Sequence, residues 1–64
     1  MHIHVKEGAN VVGSVSELAR QLGIKHSSLY EWNRVPAERV LRFEEITGIS
    51  RHTLRPDVYG VVDA

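Results

Sequence analysis

The chain has 64 residues, 42% of them hydrophobic and 25% charged, with no cysteine and a formal net charge of zero. At this length one small domain is expected, burying only about 60% of its unfolded surface and too thin for a large catalytic cleft. Disulfides and thiolate metal sites are excluded, which leaves self-association or efficient helix packing as the source of stability. The composition is too apolar for a disordered chain. No apolar run approaches the ~20 residues that span a bilayer, and no signal peptide is visible, so a soluble intracellular protein is expected.

The charges are unevenly spread. Residues 1–17 and 56–64 are mildly acidic, whereas residues 18–55 carry seven basic side chains against four acidic ones. His26 and His52 add to this middle stretch when protonated. The pattern permits a polyanionic partner without requiring one.

From Met1 to Val12 two patterns compete. Ile3 and Val5 alternate with polar residues, as in a strand, while Val5, Ala9 and Val12 stand at helical spacing. A short helix over 4–12, weakened by Gly8 and ended by Gly13, is the favoured reading. The next element is sharply marked. Ser14 and Glu17 form an S-x-x-E capping box ahead of an apolar face made of Val15, Leu18, Ala19 and Leu22. Gly23 then stands where a left-handed C-terminal residue is expected. The pattern predicts a helix over 15–22, too short to persist without docking on neighbours.

Ile24 is an apolar plug, and a second short helix is predicted over 26–33, with Leu29 and Trp32 facing inward. Val35-Pro36 marks a boundary, because the residue before proline avoids helical geometry and proline suits a first helical position. A longer helix is predicted over 36–47, with Ala37, Val40 and Leu41 on one face and Phe43 and Ile46 widening it. Thr47-Gly48 ends it, Ile49 is a second plug, and Ser50 caps a single turn over 51–54. Val58 and Tyr59 are expected to lay the tail back on the helices, with residues 60–64 frayed. The domain is thus all-α, a single unit over 1–64 with five helices.

The spacing Ala19–Gly23–Leu29–Trp32 is the informative feature. Ala19 is small where a second helix crosses the first, Gly23 accepts the positive φ of a tight turn, and Ile24, Leu29 and Trp32 pin the second helix to the core. Its opposite face must then point outward. This is a helix-turn-helix over about residues 15–33, a motif whose second helix enters the DNA major groove. The same apolar positions would be core in any small helical domain, so packing alone does not establish DNA binding.

The stretch Val15–Trp32 resembles the helix-turn-helix of small phage Cro repressors, in the Cro/CI superfamily. Val35–Gly48 continues the likeness. Ile49–Tyr59 is similar to the prophage-encoded Cro-like group that includes YdaS-type antitoxins. The resemblance covers about residues 14–60 and implies a compact all-α Cro-like fold, dimeric operator binding and transcriptional repression, at the bacterial nucleoid or in a phage-infected host. Lys25 departs from the small capping residue often found at its position.

The face argument assigns base reading to Lys25, His26, Ser27 and Ser28, which open the second helix, and to Tyr30 and Glu31 one turn on. Lys25 is suited to guanine O6/N7 and Glu31 to the cytosine amine. For Glu31 a solvated or capping role is equally open. Ser14 and Ser16 at a helix N-terminus suit a phosphate, and Arg34 is the best phosphate-pairing side chain, with Arg20, Arg39 and Arg51 behind it. Arg51 and Arg55 have an alternative in pairing with Glu44 or Glu45, and Arg55, beside Pro56 and Asp57, favours a structural role.

His2 and His4 are too few for a metal site, and no neighbouring acid or cysteine completes a set. No triad order, nucleophile elbow or phosphate-binding glycine loop is present, so neither catalysis nor a cofactor is expected. The expected partner is a double-stranded DNA operator, bound by a homodimer that forms either alone or only on DNA. Phe43, Val58, Tyr59, Val61 and Val62 are the candidate dimer contacts. Two alternatives are an antitoxin that represses its own operon, for which no toxin-binding extension is visible, and a protein-binding adaptor on the same scaffold.

Overall fold

A computed structural model describes residues 1–61 as an all-α domain measuring 33 × 19 × 18 Å. Its helices are α1 (Ile3–Val12), α2 (Val15–Leu22), α3 (His26–Glu31), α4 (Val40–Thr47), α5 (Arg51–Leu54) and α6 (Pro56–Tyr59), with a 3₁₀ turn over Ala37–Arg39 leading into α4. α1 packs on α2 and α4, and α2 on α3 and α4. The core is built from Val5, Ala9, Leu18, Ala19, Leu22, Leu29, Val35, Val40, Phe43 and Leu54.

The helical reading of the N-terminal segment is the one the structure adopts. His2, in extended geometry, caps α1 by accepting the His4 N–H on Nδ1 at 3.2 Å. The segment is therefore ordered, not the frayed end that its sequence suggests. Val5, Gly8 and Ala9 form the buried stripe of α1. Gly8 has a use that its low helix propensity conceals. A Cβ there would lie 2.7 Å from Phe43 Cζ and 2.9 Å from Thr47 Cγ2. Its absence lets α1 lie close on α4. Gly8→Ala gains about 1 kcal/mol in helix propensity but overpacks a ring with no room to move, at about 1–3 kcal/mol. A net loss of stability is expected, read as a lower urea midpoint at unchanged slope; a higher midpoint would show that α1 can shift away from α4.

The turn between α2 and α3 follows from its residues. Ser14 Oγ accepts the Glu17 N–H at 3.1 Å. At the other end Gly23 adopts φ 75°, and Gly23 and Ile24 donate their N–H groups to the Arg20 and Ala19 carbonyls. That is a Schellman closure, which satisfies two carbonyls that the helix end would otherwise leave open.

Three expectations need correction. α3 ends at Glu31, not Asn33: Trp32 is already extended, because the chain must leave the helix to deliver Val35 into the core. Trp32 is only partly buried against that core. The predicted 36–47 helix opens as a 3₁₀ turn, which changes the register of α4. Its buried stripe is Val40, Phe43 and Thr47, while Leu41 is 52% exposed. Phe43 is fully buried and is no dimer contact. Finally, residues 56–59 form a sixth helix, with Pro56 in its first turn. Tyr59 packs partly on the core, Val58 and Val61 are exposed, and Val62 and the rest of the 60–64 tail beyond Val61 lie outside the described residues.

Thr47 is the buried polar side chain of α4. Its hydroxyl donates to the Phe43 carbonyl at 2.8 Å and accepts the Ile49 N–H at 3.2 Å, so its burial leaves no unmet hydrogen bond.

Candidate nucleic-acid interface

With Leu29 fully buried, α3 turns Lys25, His26, Ser27, Tyr30 and Glu31 to solvent. Ser28 is half-buried and contributes less to that face. Lys25 occupies the N-cap position of α3 with no side-chain capping bond, so its ammonium is left for another partner. An open groove of about 330 Å³ runs between α2 and the start of α3, lined by Ser16, Ala19, Arg20, Ile24, Lys25, His26 and Ser27. Ala19 and Ile24 supply its apolar floor. Arg20, Lys25 and His26 supply nitrogen donors, and Ser16 and Ser27 hydroxyls. None of these lining residues is acidic.

Arg20 enters the groove as a positioned group. Glu17, one turn earlier on α2, accepts from its Nε at 2.9 Å and from Nη2 in a fork. Gln21 Nε2 donates to the same carboxylate at 3.1 Å. The Arg20 fork, then Gln21, hold the Glu17 carboxyl at about 2, below its ordinary 4.5. Glu17 therefore serves Arg20 instead of closing the second half of the capping box on the Ser14 N–H. The E-x-x-R spacing at 17 and 20 is readable in the sequence, although sequence reasoning assigned Glu17 to capping alone.

The other candidate phosphate contacts are dispersed. The Ser14 hydroxyl is used as the α2 cap. Arg39 reaches toward the Leu22 carbonyl at 3.5 Å and is half-buried. Arg51 has its guanidinium 5.9 Å from the Tyr59 ring centroid, and its backbone N–H donates to Glu44. Arg34, in the turn after α3, is 58% exposed and stands 3.6 Å from Asp57. Arg55 takes the structural role expected of it, though toward Asp57 and not Glu44 or Glu45. The structure thus gathers Ser16, Arg20, Lys25, His26 and Ser27 around one groove and leaves Arg39 and Arg51 elsewhere.

The paired acids give a pH signature. The Asp57 carboxyl is held at about 2 from an ordinary 3.8, chiefly by the Arg55 hydrogen bond. Both acids have depressed values in the folded state, so their contribution is complete above the ordinary values and fades as pH falls toward 2. The melting temperature is expected to hold down to about pH 5 and then to drop toward pH 2. In a Glu17→Gln, Asp57→Asn double variant that drop should be shallower. An equally steep drop would place the acid sensitivity in other groups.

Fold and exposed helix together define a small helix-turn-helix protein of the Cro type. The Cro protein from a prophage element, Xfaso 1, in Xylella fastidiosa strain Ann-1 has a similar structure, with a TM-score of 0.85 and 38% sequence identity over 94% of this chain and 100% of that one. The model of the family described as bacterial toxin YdaS matches residues 5–62, and the chain belongs to that family. No curated protein matches the chain. Among the described residues no helix is long and apolar enough to cross a membrane.

Proposed function

We propose that this chain is a sequence-specific DNA-binding transcriptional regulator, a Cro-like phage or prophage repressor that binds a near-palindromic operator as a dimer. The observation that carries this reading is the groove at the start of α3, where Lys25, His26 and Arg20 converge beside a helix face with no structural task. Lys25, His26 and Ser27 read base edges, with Tyr30 and Glu31 further along the same helix. Arg20 and Ser16, together with Arg34 beyond α3, take phosphates. Two copies place their α3 helices in successive major grooves about 34 Å apart and block polymerase at the promoter they cover. Val58 and Val61, 49% and 79% exposed, are the remaining described candidates for the dimer contact.

The test is affinity for a mixed-sequence duplex as a function of salt. Several phosphate contacts make log affinity fall steeply and linearly with log salt. A protein-binding adaptor on this scaffold would show no such slope, and its partner would then be sought among proteins.

The family's description favours a second reading, in which the chain acts within a toxin–antitoxin operon that it represses. A growth-arresting gene beside it, silenced when this chain is expressed, supports that reading. Growth arrest caused by this chain alone would make it the toxic member.

A further inference from the structure

Asp57 lies outside the groove and outside the helix-turn-helix, yet it engages two guanidinium groups on unequal terms. Arg55 donates from Nε to Oδ1 at 3.0 Å and from Nη2 to Oδ2 at 2.8 Å, and its Nη1 donates to the Val35 carbonyl at 3.1 Å. Its side chain is only 13% exposed. This fork staples α6 to the turn after α3 and fixes where the carboxylate stands. Arg34 Nη1 approaches the same Oδ2 at 3.6 Å, with its side chain 58% exposed. The Arg55 pair is bidentate and shielded, whereas the Arg34 contact is single, longer and open to water, so it is the weakly held one.

We propose that Asp57 is an internal stand-in for a DNA phosphate: it holds Arg34 beside the end of α3 in the free protein and releases it to a phosphate on binding, while Arg55 retains Asp57. This rests on the DNA-binding reading above. Carboxylate and phosphate offer a guanidinium the same kind of oxygen acceptor, so the exchange replaces like with like. Asp57 thereby restrains affinity without altering base preference, because a phosphate contact carries no sequence information.

The experiment is a double-mutant cycle on the whole chain, with a mixed-sequence DNA duplex as probe. Asp57→Asn removes the charge but keeps an acceptor for Arg55. It is expected to bind about two- to fivefold more tightly, the range an exposed ion pair supports. In an Arg34→Ala background the same change should leave affinity unaltered. An equal tightening in both backgrounds would overturn the exchange, since Asp57 would then act only as a negative charge near DNA. A second readout uses the wild-type protein and needs no variant to fold. On adding duplex, the Arg34 Nε–H resonance should move and that of Arg55 should stay. An unmoved Arg34 resonance in a protein that binds the duplex overturns the exchange alone, whereas absence of binding by wild type overturns the DNA reading and the exchange with it.

Discussion

Phe43→Ala is expected to unfold the domain. The ring is fully buried where α4 meets the Gly8 face of α1, so its removal costs about 3–5 kcal/mol. A chain of this length has roughly 3–10 kcal/mol in total, at the usual stability per residue. The variant should lose its cooperative thermal transition in circular dichroism near room temperature. Trp32→Ala should cost less, because Trp32 packs only partly against the core. A Phe43→Ala protein that melts like wild type would mean that α1 and α4 are not held together by this contact.

The largest functional effect is expected from the arginines that flank α3. Arg20→Ala and Arg34→Ala each remove one charge-assisted phosphate contact, at about 1.5 kcal/mol or roughly tenfold in affinity. Each should also lower the salt slope by about one, uniformly across DNA sequences. Lys25→Ala should behave differently and change which bases are preferred. These outcomes are separated by selecting duplexes from a random pool with each variant. Identical preferred sites for wild type and Lys25→Ala would remove Lys25 as a reader, and unchanged salt slopes in both arginine variants would remove them as phosphate contacts.

What the sequence conveyed depends on how far each determinant reaches. α2 and its turn were legible because the Ser14 cap, the Leu18–Ala19–Leu22 face and the Gly23 closure are local. Gly8 was read as a weakness because its meaning lies in Phe43 and Thr47, distant along the chain. The face of α4 was blurred by the 3₁₀ turn over Ala37–Arg39. Three residues at about 120° each, in place of about 100°, rotate the stripe by about 60°. That displaces Leu41 from the buried side and seats Phe43 there. α6 was missed because four residues carry little periodicity, and its anchor is the Arg55 bond to the Val35 carbonyl.

The candidate site divides in the same way. The exposed residues of α3 followed from pinning Leu29, and the structure places Lys25, His26 and Ser27 on one groove with Arg20 and Ser16. The engagement of Arg34 by Asp57 joins two segments that no local spacing connects. Charge counting along the chain likewise missed that Arg39 and Arg51 are taken up within the fold.

The central claim is that α3 reads DNA as part of a dimer. The most direct measurement mixes the purified protein with random duplexes at two salt concentrations and sequences what is retained. An enriched near-palindrome, with half-sites about one helical turn apart and weaker retention at high salt, is the predicted result. A retained pool with no enriched sequence, unchanged between the two salts, would contradict it.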